Sequence, residues 1–156
     1  MESKMTLTDG YQVNEISVSY KPAFKIADRP LINDSNSCAK LLRASWDPGK
    51  LQFIEEFKVA FFTRGNRLIG IFQVSSGGTC EIIVDLKVLF ATALKVNAAK
   101  MIITHNHPSG SLNPSQPDLR LTQKIKEAGL LLGIALLDHI ILTADSYYSF
   151  ADQGLI

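Results

Sequence analysis

Apolar positions along this chain recur in two rhythms, and the switches between them mark its elements. Two runs rich in aromatic and β-branched residues, 53–62 around Phe57, Val59 and Phe61 and 68–74 around Ile69, Ile71 and Val74, have the composition of half-buried strands. Between them Arg64-Gly65-Asn66-Arg67 is a turn sequence, so the two runs read as an antiparallel hairpin. A helical rhythm flanks the hairpin on both sides. Asp34-Ser35-Asn36-Ser37 supplies N-cap candidates ahead of Cys38, Ala39, Leu42 and Trp46, and Asp47-Pro48-Gly49 stops the pattern. Asp85 can cap a second helix whose apolar Val88, Leu89, Ala91 and Leu94 have helical spacing, closed near Asn97. The run 100–104 predicts a strand, 116–128 an amphipathic helix ended by Gly129, and 134–142 a further strand. Ser75-Ser76-Gly77-Gly78 reads as a flexible loop. The steps Lys21-Pro22 and Arg29-Pro30 favour extended backbone in an otherwise polar start, so residues 1–30 are expected as an arm or edge strand and 31–156 as one domain. The expected class is α/β, a central mixed sheet flanked by helices. Trp46, residues 130–132 and Tyr147-Tyr148 read as packing residues of the core or surface.

Composition narrows the function classes. Sixteen Lys plus Arg against fifteen Asp plus Glu leave a net charge of +1, so no overall field recruits a polyanion and nucleic-acid binding has no support from charge. No apolar run approaches the roughly 20 residues that cross a bilayer, so no membrane segment is expected. Cys38 and Cys80 form no CxxC, and the start of the chain lacks a secretory layout, which makes a reducing cytoplasm the expected location.

The candidate chemistry lies between the strand ending near Thr104 and the helix beginning near Gln116. In extended backbone, side chains two apart point the same way, so His105 and His107 can aim both imidazoles at one point. Asp118 is the nearest downstream carboxylate, and two imidazoles with one carboxylate are a donor set of catalytic zinc. A competing reading applies to Ser115 and Asp118, because Ser-x-x-Asp ahead of an apolar helix is also a capping box; spacing does not choose between the two roles. A hydrolytic metal site also needs a proton carrier. Glu55 and Glu56 are the candidates, and Glu55 is preferred because strand alternation puts it on the face of Phe57, Val59 and Phe61, whereas Glu56 shares a face with Lys58, Ala60 and Phe62.

His105-x-His107-Pro108 followed by Pro114-Ser115-x-x-Asp118, with ten residues between His107 and Asp118, resembles the JAMM motif. The run His105 to Gly110, preceded by Asn97-Ala98-Ala99 and followed by Leu137-Asp138-His139-Ile140, is similar to the bacterial RadC-type branch of that superfamily. The resemblance implies a cytidine-deaminase-like JAB/MPN fold, Zn²⁺ on His105, His107 and Asp118, Glu55 as the catalytic glutamate and Ser115 polarising the scissile carbonyl. It gives His139 a role in structure or behind the metal ligands. Lys87 stands where that branch usually has arginine, and the first fifty residues carry none of the glycine hairpins of the DNA-associated helix-hairpin-helix region common in it.

The function these features predict is metal-dependent hydrolysis of a peptide or isopeptide bond, with a peptide or protein as substrate. Two rivals stand beside it: a non-catalytic interaction module linked to DNA repair or mobile elements, and a metal-dependent nuclease. Neither the substrate nor the oligomeric state is written in the sequence.

Overall fold

The structure is a computed structural model and describes residues 4–6, 10, 12–77 and 83–156. Its centre is a five-stranded mixed sheet built from β3 (Glu56–Phe62), β4 (Leu68–Ser76), β5 (Lys100–Asn106), β6 (Ala135–Leu142) and β7 (Tyr147–Ser149), in the order β4-β3-β5-β6-β7. Only β5 and β6 run parallel; the other neighbours are antiparallel. A parallel pair needs a crossover, and α3 (Gln116–Leu132) supplies it. That connection decides where the chemistry sits, because it sets the first turn of α3 above the end of β5.

Helix α1 (Ser35–Ala44) covers one face of the sheet, packing Cys38, Ala39 and Leu42 on Ala60, Phe62, Ile102 and Ile140. Helices α2 (Leu86–Lys95) and α3 cover the other, with Leu89, Phe90, Ala93 and Ile125 against Phe57, Val59, Phe61 and Ile103. Each fully buried Leu, Ile, Val or Phe among them stabilises the fold by roughly 1.5–3 kcal/mol. The helix starts follow capping chemistry: the Asp34 carboxylate accepts the Ser37 N–H at 2.7 Å, and the Asp85 carboxylate accepts the Lys87 N–H at 2.9 Å.

The mixed α/β architecture is the expected one, and several boundaries differ. Strand β3 begins at Glu56, because residues 51–54 are held in a turn by the Asn106 side chain; Phe53 lies there, 76% exposed. Ser75 and Ser76 belong to β4 rather than to a loop, while Gly78 and Cys80 lie outside the described residues. Helix α3 passes through Gly129 and ends at Gly133, whose φ of 71° is left-handed. Gly129 is needed for contact, not termination: a Cβ there would run into the Ile134 carbonyl. Strand β7 is an addition, too short for its pattern to register. The β-branched run after Lys100 continues as strand to Asn106, two residues past its expected end.

In the arm, β1 (Lys4–Thr6) and β2 (Gln12–Asn14) pair with each other as an antiparallel two-stranded sheet, and among the described residues with no other strand. The segment after them meets the edge of β4, where Pro30 O accepts the Leu68 N–H at 2.9 Å. Trp46 is buried, whereas Leu130 and Leu131 are exposed. No helix of the described residues is long and apolar enough to cross a membrane.

Candidate metal centre

One cleft of about 450 Å³ is lined by Glu55, His105, His107, Ser115 and Asp118, so the side chains singled out from the sequence come together in space. Each arrives by a local rule. His105 lies within β5 on the α3 face, stacked beside Phe57 with ring centroids 6.2 Å apart. His107 follows the strand, yet its N–H still donates to Leu142 O at 2.9 Å, which prolongs the β5–β6 ladder and keeps the i, i+2 alignment of the two imidazoles. Gly110 turns the chain away with φ of 84°, and Ser115 and Asp118 open α3 opposite the histidines.

The capping box is real. Ser115 Oγ accepts the Asp118 N–H at 3.1 Å, and Asp118 Oδ2 accepts the Ser115 N–H at 2.7 Å. The same carboxylate faces the histidines, with Oδ1 3.4 Å from His105 Nε2 and Oδ2 3.8 Å from His107 Nε2. Capping and site geometry therefore coexist, and the cap holds the carboxylate in place.

Glu55 and Glu56 separate to opposite faces. Glu55 Oε1 is 4.0 Å from His105 Nε2, whereas Glu56 is buried on the α1 side with Lys50 Nζ at 3.7 Å. What aims Glu55 is a residue the sequence reading passed over. The Asn106 amide donates to Leu51 O and Ile54 O, both at 2.8 Å, and its oxygen accepts the Glu56 N–H at 2.7 Å. Those contacts tie the turn carrying Glu55 to the strand carrying the histidines. No local pattern reveals them, since the partners are backbone groups some fifty positions away.

The two Nε2 atoms of His105 and His107 are only 3.0 Å apart. His107 Nδ1 lies 2.7 Å from Ser111 O; a carbonyl only accepts, so Nδ1 carries the hydrogen and His107 Nε2 the lone pair. Two close imidazole nitrogens ringed by the Asp118 and Glu55 carboxylates make an electron-rich point that is favourable only with positive charge on it, a metal ion or a proton. Glu55, His105 and His107 form a group that could hold a metal ion, their ligand atoms all within 4.8 Å of one another. The donor chemistry, neutral imidazole with carboxylate, suits zinc or a neighbouring divalent transition ion.

Electrostatics distinguish the carboxylates. Burial raises the Glu55 carboxyl above its ordinary range, against the lowering influence of His105 and His107. Burial would raise Asp118 too, but the His105 imidazole and the Ser115 N–H and hydroxyl outweigh it and hold that group well below the carboxylate range. Behind His105, wholly buried His139 has its pKa pushed well below the ordinary histidine value by burial. His105 Nδ1 is 2.8 Å from His139 Nε2, and His139 Nδ1 is 2.7 Å from Thr122 Oγ1. Thr122 was not foreseen, although its place one turn after Asp118 puts it on the same helix face. Arg120 and Lys124, also unforeseen, add two cations to the cleft wall.

The model of the RadC-like JAB domain matches residues 32–155. A UPF0758 protein of Flavobacterium johnsoniae is 48% identical over 101 residues, which cover 65% of this chain and 44% of the relative. One from Syntrophomonas wolfei is 43% identical over 102 residues, 65% of this chain and 43% of the relative. One from Clostridium botulinum is 38% identical over 134 residues, 85% of this chain and 57% of the relative. This chain spans about half the length of the curated relatives it matches.

Proposed function

The chain belongs to the RadC-like JAB family, and from that membership and the site geometry we propose that it is a zinc-dependent hydrolase of peptide or isopeptide bonds. The observation that carries the reading is the convergence of His105 Nε2 and His107 Nε2 to 3.0 Å beside two carboxylates. His105, His107 and Asp118 would hold the ion, and Glu55 would stay outside its ligand set. The division rests on mobility: Asp118 is fixed by its cap, whereas the Glu55 side chain makes no hydrogen bond among the described residues and can swing between partners. When bound, zinc lowers the pKa of a water it binds to about 7 and polarises a carbonyl.

The protein's own groups do the rest. Glu55 takes a proton from the attacking water and returns it to the leaving amine, a transfer favoured by a carboxyl whose pKa is raised. Ser115 Oγ accepts from Asp118 N–H, and its single hydroxyl hydrogen, which favours the Asp118 carboxylate at rest, would turn to the oxygen of the scissile carbonyl. Arg120 and Lys124 are in no ion pair among the described residues and line the same cleft, which suits a substrate with an anionic group near the scissile bond. A cytoplasmic location goes with this reading.

Elemental mass spectrometry of protein purified without chelator tests the metal half. One equivalent of zinc, lost in His107→Ala and Asp118→Ala, is expected; wild type that takes up none when supplied would overturn it. Glu55→Gln, screened on peptide and isopeptide substrates, is expected to keep zinc and lose turnover.

The Arg120–Lys124 wall also favours a second reading, a metal-dependent nuclease. Its test is DNA binding across salt, where contact with several phosphates gives a steep fall in log K against log salt. A flat response excludes it.

A further inference from the structure

We infer that His139 and Thr122 act as a positioning pair that fixes which nitrogen of His105 faces the metal centre. The inference rests on the metal-site reading above and follows from the direction of three hydrogen bonds. Thr122 Oγ1 lies 2.7 Å from the backbone carbonyl of Asp118, which can only accept, so the single hydroxyl hydrogen of Thr122 is committed there. Toward His139 Nδ1, at 2.7 Å, the threonine oxygen is therefore an acceptor, and Nδ1 must carry hydrogen. A neutral His139 then has its lone pair on Nε2, which accepts from His105 Nδ1 at 2.8 Å. His105 is left with its own lone pair on Nε2, the atom aimed at His107 and Asp118.

Among neutral tautomers no other assignment satisfies the three contacts that run from Asp118 O to His105 Nδ1, and the two lone pairs it leaves facing each other on His105 Nε2 and His107 Nε2 are the point a cation would join. Turning any one donor around sets two lone pairs or two hydrogens face to face inside a site where His105, His139 and Thr122 are at most 4% exposed, so water cannot repair the mismatch. The rings cannot evade it by rotating: His139 is stacked on Phe150 with centroids 4.4 Å apart, and His105 lies beside Phe57. The relay also starts on the backbone of Asp118. The helical turn that presents the carboxylate thus sets the polarity of the imidazole across from it, and two donors from distant parts of the chain are prepared together. His107 is prepared separately, by Ser111 O.

Thr122→Val tests the pair, since valine keeps the shape and removes the acceptor oxygen; Thr122→Ser restores the oxygen. Two-bond ¹H–¹⁵N NMR of the metal-free protein, under mildly alkaline conditions, reads the imidazole tautomers without any metal or turnover. Wild type and Thr122→Ser are expected to show His105 with hydrogen on Nδ1, and Thr122→Val a mixture. Zinc affinity, from competition with a chromophoric chelator, is expected to fall by about 10–100-fold in Thr122→Val and to recover in Thr122→Ser. Unchanged tautomers together with unchanged zinc affinity in Thr122→Val would overturn the pair. If the wild type takes no zinc while the tautomers still shift in Thr122→Val, the pair stands and the metal reading falls.

Discussion

Alternate residues of the same strands build two different polar interiors on the two faces of this sheet. On the α1 face, Asn106 satisfies three backbone groups, and Asp138 accepts from His139 N at 2.7 Å, Ala151 N at 2.9 Å and Ser149 Oγ at 2.6 Å. On the α3 face, one position along in each strand, His105 and His139 belong to a chain of contacts that ends in lone pairs around a common point. Both sets are buried. Burial of polar groups therefore does not mark a site; what marks it is that hydrogen bonding closes on one face and is left open toward a cleft on the other. The closed face has exceptions among the described residues: Glu56 Oε1, Thr104 Oγ1 and Trp46 Nε1 are buried there without a hydrogen bond.

If that contrast is right, equal truncations have unequal costs. Asn106→Ala should be the most damaging, by about 4 kcal/mol, since it strips partners from three largely buried backbone groups at roughly 1–3 kcal/mol each; urea unfolding measures it, and a loss under about 1 kcal/mol would break the comparison. Asp138→Ala should cost about 2–3 kcal/mol by the same reasoning and the same measurement. His107→Ala, in metal-free protein, should change stability by less than about 1 kcal/mol, because it removes one of two crowded lone pairs. Zinc should then raise the Tm of wild type and leave that of His107→Ala unmoved, by ligand linkage.

The smallest effect is in the pH dependence. Glu55 has its folded pKa raised by burial above 4.5, so the stability linked to its proton is fully present below the unfolded value and lost as pH rises through the folded one. Glu55→Gln, always neutral, should escape that loss and be slightly more stable than wild type at neutral pH without metal. A carboxyl resonance of Glu55 titrating at or below 4.5 would remove the basis for this.

How much was readable beforehand depended on distance along the chain. That His105 and His107 point the same way was legible because strand alternation is a local rule, as was the cap at Ser115 and Asp118; the facing of Asp118 toward the histidines was implied by the family resemblance and not by spacing. That Glu55 rather than Glu56 faces His105 was legible for the same reason, although β3 begins three residues later than the pattern suggested. The helices announced themselves through caps and periodicity, but the end of α3 was misread because Gly129 looks like a terminator and is a packing glycine whose reason, Ile134, lies beyond the helix. Asn106 gripping residues 51–56 and Thr122 meeting His139 across the crossover are long-range pairings, and neither residue type advertises such a partner.

Because Ser115 and Asp118 also start α3, a lineage that abandoned the chemistry would still be held to both residues by the stability of the helix. Glu55 caps no helix and its side chain makes no hydrogen bond among the described residues, so the stability of the fold would not hold it in the same way. On the proposed hydrolase reading, serine and aspartate without the glutamate would be the mark of a copy that had lost turnover, and the glutamate the residue that tells a working copy from a scaffold.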